Sequence, residues 1–379
     1  MINTQVLPSD EPFLRRALEL AQAGVGLTSP NPCVGAVIVR DGQIVGSGTH
    51  TYAGVQHAEV LALEQAGDRT RGATLYLNLE PCSHQGRTAP CADALLAAGI
   101  RRVVCSMEDP NPLVAGRGFE RLRAAGVAVE VGGLAIEARR LNEAFAHFIR
   151  RKTPLVTLKA AMTLDGKIAP PAVGAAPPTG WITGEAARAH AQTLRHASDA
   201  VLVGVGTVLA DNPLLTDRSG LPRRRPLLRV ILDSHLRLPL DCRLVDTARD
   251  DVLVFSLSPD VDRKATLEAR GVRVETMAAS KMDSRPDFTG ILRRLGELEI
   301  TSLLIEGGAL INGSALVAGI VDKAFLYFAP RILGSSAVPF LLGASFAHPP
   351  QAPYLHHLRL HRFGEDFAVE GYFRDPYGK

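Results

Sequence analysis

The sequence predicts an α/β protein built from two domains, and three observations carry that reading. At 379 residues the chain exceeds the size at which one hydrophobic core keeps growing. Apolar, β-branched runs alternate with helical runs along nearly its whole length, the pattern of sheets covered by helices. A charged, proline-containing link, Arg150-Arg151-Lys152-Thr153-Pro154, interrupts this alternation before a second series begins. The boundary is therefore placed at 150/151, dividing residues 1–150 from 151–379.

In the first series, Phe13, Leu14, Ala17, Leu18 and Ala21 recur at helical spacing, which predicts a helix over Glu11–Gln22 with Gly24 beyond its end. The runs Val34–Val39 and Gln43–Gly46 flank Asp41-Gly42 and predict a hairpin. A helix follows over Ala58–Ala66, a buried strand over Ala73–Leu79, and a helix over Ala89–Ala98. A strand at Arg102–Cys105, a helix at Phe119–Ala125, a strand at Val127–Val131 and one helix over Glu137–Phe148 complete the domain.

The second series opens with a strand at Leu155–Leu158, and Pro170–Pro178 reads as a loop. Strands are expected at Ala200–Val203, Leu228–Leu232, Val252–Phe255, Val272–Val274 and Ser302–Ile305. Helices are expected at Glu185–Ala197, Arg263–Arg270, Phe288–Leu298 and Ala309–Ala318. Val321–Phe328 and Phe367–Tyr372 supply late, antiparallel strands.

Composition narrows the function. The chain is 46% hydrophobic and 21% charged, with a formal net charge of +3, close to neutral for this length. Its short arginine clusters sit beside Pro and Ser in loops, so no nucleic-acid groove is expected. No apolar run approaches the ~20 residues that span a bilayer, and the first residues lack the basic and apolar regions of a signal peptide. Five cysteines, an odd number, argue against a disulfide framework. A cytoplasmic protein without membrane or nucleic-acid partners is expected; a homo-oligomer is compatible with the sequence.

One constellation carries chemistry. His57-Ala58-Glu59 lies at the expected first turn of a helix. Cys82 follows a strand and Pro81, and Cys91 opens the next helix, where exposed amides favour a thiolate. One imidazole and two thiols, with a position left for water, form the pattern of a catalytic zinc site. Such coordination lowers the pKa of water to about 7. Glu59, a proton shuttle and not a ligand, completes the H-x-E…P-C…C arrangement of zinc deaminases. The competing possibilities are three unrelated side chains, or a structural zinc needing His84 or His50 as a fourth ligand.

Further motifs make the resemblance specific. Pro30-Asn31-Pro32-Cys33-Val34-Gly35, Gly48-Thr49-His50, His57-Ala58-Glu59-Val60, Glu80 through Thr88 and Asp109-Pro110-Asn111-Pro112 cover most of residues 10–148. With eight residues between its cysteines instead of two, this region resembles the deaminase domain of the bifunctional riboflavin-biosynthesis deaminase/reductases. The resemblance implies one zinc per chain, held by His57, Cys82 and Cys91. It also implies that Asn31, His50 and His84 contact a pyrimidine and its ribose phosphate.

The second half is similar to the reductase domain of the same family. The carriers are Leu164-Asp165-Gly166, Trp181-Ile182-Thr183, Thr207-Val208-Leu209-Ala210-Asp211, Leu215-Thr216-Asp217-Arg218, Asp233-Ser234 and Glu306-Gly307-Gly308. Val203 to Asn212 and Leu304 to Leu310 each read as a strand, a glycine turn and a helix start, able to offer amides to phosphates. Leu209 stands where a dinucleotide fingerprint needs its third glycine, so a Rossmann site is not expected.

The resemblance implies a cytidine-deaminase-like α/β/α domain followed by a dihydrofolate-reductase-like α/β domain. It implies hydrolytic deamination of 2,5-diamino-6-ribosylamino-4(3H)-pyrimidinone 5′-phosphate, then NADPH reduction of the ribosylamine to a ribitylamine. In that reduction an imine carbon accepts hydride while an acid protonates the departing ring oxygen. Ala161, Trp181, Thr207, Asp211, Ser234, Gly308, Ala309, Leu310, Ile311, Asn312, Gly313 and Ser314 would line the cofactor. Thr179, Arg195, Leu215, Arg218 and Glu306 would face the substrate, the two arginines suiting its phosphate. Lys159 and Glu306 are the candidates for handling protons or stabilising the imine.

The sequence departs from the family pattern at Asn212, where a second Asp is usual, at Thr163, where Ser is common, and in an extended loop before Trp181. The alternative function is a zinc deaminase of nucleosides or nucleic acid with an accessory domain. The eight-residue cysteine spacing and near-neutral charge oppose it.

Overall fold

The computed structural model describes residues 6–83, 89–171, 180–280, 285–346, 348 and 352–378. The chain divides into two compact units, residues 1–151 and 152–378.

The first unit runs α1 (Glu11–Gln22), β1 (Gly35–Arg40), β2 (Gln43–Thr49), α2 (Ala58–Ala66), β3 (Thr74–Leu77) and α3 (Cys91–Ala97). It continues with β4 (Arg102–Cys105), α4 (Arg117–Ala124), β5 (Ala128–Val131), α5 (Ala135–Leu141) and α6 (Glu143–Arg151). The sheet order is β2-β1-β3-β4-β5. β1 is antiparallel to both neighbours, whereas β3, β4 and β5 are parallel. Because side chains alternate along a strand, Ile38, Leu75, Leu77 and Val103 bury against Ala58 and Ala62 of α2, Leu95 of α3 and Phe119 of α4. On the other face Val37, Tyr76 and Val104 meet Leu14 and Ala17 of α1. The result is an α/β/α sandwich.

The single helix expected over Glu137–Phe148 is instead two, broken at Asn142. The buried Asn142 side chain leaves the helical pattern to accept from the Cys33 amide (2.8 Å) and donate to its carbonyl (3.0 Å). Asn78 donates to the same carbonyl and accepts from the Gly35 amide. Two buried amides thus satisfy a loop that has no strand partner, a need that outweighs helical continuity.

The second unit contains β6 (Leu155–Thr163), β7 (Lys167–Ala169), α7 (Glu185–Ala197), β8 (Ala200–Gly204), α8 (Val205–Asp211) and β9 (Leu228–Leu232). Then come α9 (Arg243–Asp246), β10 (Val252–Ser256), α10 (Val261–Glu268), β11 (Val272–Thr276), α11 (Phe288–Glu297) and β12 (Ser302–Ile305). The last elements are α12 (Ala309–Val317), β13 (Lys323–Ala329), β14 (Val338–Pro339), β15 (His356–Phe363) and β16 (Asp366–Tyr372). Nine strands form one sheet, in the order β11-β10-β9-β8-β12-β6-β13-β16-β15. From β11 to β13 every pairing is parallel; β16 and β15 are antiparallel additions at one edge. The two late strands, β13 and β16, pair antiparallel as expected, and β13 in addition pairs parallel to β6.

Core residues cover both faces of the parallel part. Phe288, Ile291 and Leu295 of α11 pack on one, and Leu244 of α9 with Leu267 of α10 on the other. Such double coverage explains the continuous apolar runs. The edge strand β15 had no such signal: its charged and imidazole-rich run is exposed along most of its length. The loop expected over Pro170–Pro178 lies mostly outside the described residues.

Asn142→Ala removes the acceptor of the Cys33 amide and one of the two amide donors to its carbonyl, leaving Asn78 on that carbonyl. Urea unfolding should show the first unit destabilised by about 2 kcal/mol, the cost of losing hydrogen bonds to buried backbone groups.

Candidate functional site: a metal centre and a reductase cleft

Three ligand-capable side chains converge in the first unit. Cys91 is the first residue of α3, and Cys82 lies in the segment after β3. His57 is not within the first turn of α2, as expected, but is its N-cap, with extended backbone (φ −77°, ψ 157°). Its Nδ1 lies 3.1 Å from Cys91 Sγ and 3.5 Å from Cys82 Sγ. The ligand atoms of the three residues all fall within 4.8 Å of one another. The Cys91 amide, at the helix start, donates to Cys82 Sγ at 3.3 Å.

The two thiols divide their protons unequally. Cys82 is held below the ordinary thiol range, first by its hydrogen bond from Cys91 and further by His57. Cys91 is pushed up by that same bond, by burial and by the Glu59 charge. One thiolate is thus ready, and a cation displaces the remaining proton. Two sulfurs and one imidazole nitrogen at these separations suit zinc, with room for a fourth ligand.

Glu59 lies in the first turn of α2 and is buried. Burial raises its carboxyl above the ordinary range, although the His57 charge opposes the shift. A carboxyl with raised pKa beside a metal centre can exchange protons near neutral pH. His50 packs edge-on to His57, with ring centroids 5.5 Å apart. Its Nδ1 contacts the Gln56 carbonyl (2.9 Å) and its Nε2 contacts Asn31 Nδ2 (3.0 Å). A carbonyl only accepts, so the proton sits on Nδ1 and Nε2 accepts from Asn31. Asn31 and His50 are therefore brought beside the metal centre. His84 lies outside the described residues.

One residue escaped the sequence reading. The buried Glu80 carboxylate accepts from four backbone amides: Gly118 (2.8 Å) and Phe119 (3.3 Å) at Oε1, Asp109 (3.0 Å) and Gly116 (2.9 Å) at Oε2. Three of these belong to the start of α4, where the helix dipole also favours an anion. Gly118 must be glycine because a Cβ there would stand 2.1 Å from the Pro81 carbonyl oxygen. Glu80 thus fixes the segment that delivers Cys82 two residues later. A lone Glu after an apolar strand gives no sequence signal of four distant partners.

In the second unit a cleft of about 2120 Å³ opens around the β8 and β12 strand ends. Among the expected cofactor residues, Ala161, Trp181, Thr207, Asp211, Ser234, Gly308, Ala309, Leu310, Ile311, Asn312 and Ser314 line it. Gly313 does not. It packs α12 so tightly that a Cβ would stand 2.2 Å from the Leu342 carbonyl oxygen, and its role is helix packing. Gly204 caps α8 and Gly308 caps α12, so both glycine turns do lead into helices. Thr179 lies outside the described residues.

Lys159, Arg195, Leu215, Arg218 and Glu306 line the same cleft. Arg195 Nε and Nη2 donate to the two Glu306 oxygens at 2.7 and 3.0 Å, and Nη1 to the Thr216 carbonyl at 3.0 Å. Lys159 Nζ stands 3.6 Å from Glu306 Oε2. Burial pushes Glu306 up, but Lys159 and Arg195 outweigh it and hold the carboxyl down at about 2. Arg195 thus lines the cleft with its guanidinium engaged by Glu306 and Thr216. The Arg218 guanidinium has no ion pair among the described residues.

The comparisons agree with this division. Residues 7–107 match the cytidine and deoxycytidylate deaminase zinc-binding region, and residues 154–369 match the RibD C-terminal domain. Riboflavin biosynthesis protein RibD of Actinobacillus pleuropneumoniae is 45% identical over 88% of this chain and 87% of its own length. The Bacillus amyloliquefaciens RibD is 42% identical over 97% of each. The structure of Acinetobacter baumannii RibD superposes with a TM-score of 0.83 at 37% identity, covering 96% of this chain and 98% of that one. The Thermotoga maritima diaminohydroxyphosphoribosylaminopyrimidine deaminase/5-amino-6-(5-phosphoribosylamino)uracil reductase gives 0.81 at 38% identity, with the same coverage.

A zinc-binding deaminase region joined to a reductase region defines a bifunctional enzyme that uses zinc and a nicotinamide cofactor. The chain belongs to the RibD family of riboflavin-biosynthesis deaminase/reductases. No described helix is long and apolar enough to cross a membrane.

Glu80→Ala should loosen the Cys82 segment while leaving every ligand in place. Competition with a chelator should show zinc held at least about 10-fold more weakly, as when the partners that orient metal ligands are lost. Unchanged zinc affinity would deny Glu80 this role.

Proposed function

We propose that the first unit deaminates 2,5-diamino-6-ribosylamino-4(3H)-pyrimidinone 5′-phosphate, and that the second reduces the resulting ribosylamine with NADPH. The observation that carries this reading is the convergence of His57, Cys82 and Cys91, with the buried Glu59 beside them. His57, Cys82 and Cys91 hold one zinc per chain, which when bound supplies the Lewis acidity that makes water a nucleophile near neutral pH. Glu59 takes a proton on its carboxylate and returns it to the departing amine, a role its raised pKa suits. Asn31, oriented by its hydrogen bond to His50, presents its remaining amide atoms to the pyrimidine and its ribose phosphate, together with His84.

In the cleft, Arg218 holds the substrate phosphate and Thr179 and Leu215 flank it. Glu306 stays ionised between Arg195 and Lys159, a fixed negative charge able to stabilise a cationic imine. The cofactor lies along Ala161, Trp181, Thr207, Asp211, Ser234 and the start of α12 from Gly308 to Asn312, with Ser314 beyond. Arg237, three residues after Ser234, and Arg243, whose amide is held by Asn212, also line the cleft. Their charge supports NADPH over NADH, because guanidinium groups suit the extra phosphate. None of the cysteines is paired in a disulfide among the described residues, which supports a cytoplasmic setting.

The test is incubation of the zinc-loaded protein with the diaminopyrimidinone ribotide, with and without NADPH, reading product masses. Deamination should appear without NADPH, and reduction only with it. Glu59→Gln should keep its zinc and lose deamination by about 100-fold or more, while still reducing supplied deaminated ribotide. Loss of zinc in that variant would make the carboxylate a ligand, and no mass change in the unaltered protein would refute the function.

A further inference from the structure

Reduction of the sugar consumes a proton as well as a hydride, and the Lys159–Glu306–Arg195 triad is a poor source. Glu306 is ionised and has none to give. Proton loss from Lys159 would leave that buried carboxylate with one cation fewer.

A second group stands beside the triad. Tyr327 lies on β13 in register with Ala161 of β6. It lines the cleft although only 1% of it is exposed. Its ring centroid is 5.8 Å from Lys159 Nζ, and its hydroxyl is 2.7 Å from His190 Nδ1 on α7. His190 is partly exposed and is not among the residues lining the cleft. A buried tyrosine that lines the cleft is thus joined by one hydrogen bond to a histidine that is not fully buried.

We propose that Tyr327 is the proton donor of the reduction and that His190 positions and resupplies it, an assignment that rests on the reductase function given above. The C1′–O4′ bond breaks with its bonding pair staying on O4′, which leaves the imine carbon at C1′ to accept the hydride that a bound reduced nicotinamide would supply as the new C1′–H bond. The Tyr327 O–H bond then breaks and its proton converts O4′ to a hydroxyl. The tyrosinate takes a proton from His190 Nδ1 while His190 gains one from water at Nε2. One hydride and one proton are consumed for each sugar reduced. An alkoxide is a strong enough base to take a proton from a phenol, and burial with the Glu306 and Glu370 charges raises Tyr327 and keeps its proton on the hydroxyl until then.

The charged surroundings are defined on every packed element. Lys159 of β6, Arg195 of α7 and Glu306 after β12 face the cleft side. His361 of β15 stacks on His190 with centroids 6.3 Å apart, and it contacts Glu370 of β16, which Lys323 of β13 also holds. Burial lowers the His190 pKa and His361 adds to this, against Glu370. His190 is accordingly neutral at pH 7, the form that can accept at one nitrogen while giving from the other.

Tyr327→Phe should lower kcat for NADPH-dependent reduction by about 100-fold or more. NADPH affinity, read without turnover from its fluorescence, and deamination by the same protein should not change. His190→Ala should lower kcat less, and added imidazole should restore part of the rate in that variant but not in Tyr327→Phe. The assignment is overturned if Tyr327→Phe reduces at the unaltered rate, or if its loss of rate is matched by loss of NADPH affinity. Absence of imidazole rescue in His190→Ala would remove His190 from the proton path. If the unaltered protein fails to oxidise NADPH with the deaminated ribotide, the reductase function itself fails, a result distinct from any of these.

Discussion

Both units depend on one geometric constraint: a segment leaving the carboxyl end of a parallel strand must meet the amino terminus of a helix. In the first unit β3 delivers Cys82, and Cys91 opens α3 with its amide pointed at the Cys82 sulfur. His57 caps α2 from the same side. In the second, β8 ends in Gly204, which caps α8, and three residues beyond the end of β12 Gly308 caps α12; the cleft opens over both. Strand ends position these groups to within a bond length, and helix starts supply unpaired amides that favour thiolate and phosphate. The two chemistries differ, but the same backbone arrangement prepares each.

Buried charge refines both places. Glu80 spends its carboxylate on four amides and so fixes the approach of Cys82. Glu306 is fixed between Arg195 and Lys159. In each case a carboxylate deep in the protein is met by donors on both oxygens, which offsets the cost of burying it. Glu59 is the contrast. It is buried with partners that do not offset the cost of ionisation, and its carboxyl rises where the other functional carboxylate falls. That difference is the basis on which Glu59 is proposed to carry protons and Glu306 to act as a fixed charge.

Much of this was legible in the sequence, for reasons that differ by residue. α1, α2 and α7 have the bounds their apolar periodicity predicts, because local spacing alone defines them. The metal constellation was legible because its residue types are scarce and its helix starts recognisable. Asn142 was not, since a helix break made to satisfy Cys33 depends on a partner 109 positions away. The pairing of Arg195 with Glu306 was not legible either, because it spans 111 positions. Tyr327 and His190, 137 apart, gave no pattern at all, and β15 is an exposed edge without apolar alternation. What stayed hidden is what tertiary pairing creates.

The account stands most directly on the ligand set of the metal centre. X-ray absorption at the zinc edge, on protein purified with one equivalent of zinc, reads that set without reference to activity. Two sulfurs at about 2.3 Å, one nitrogen near 2.0 Å and one further light atom are predicted. Four protein ligands, or a shell without two sulfurs, would contradict it.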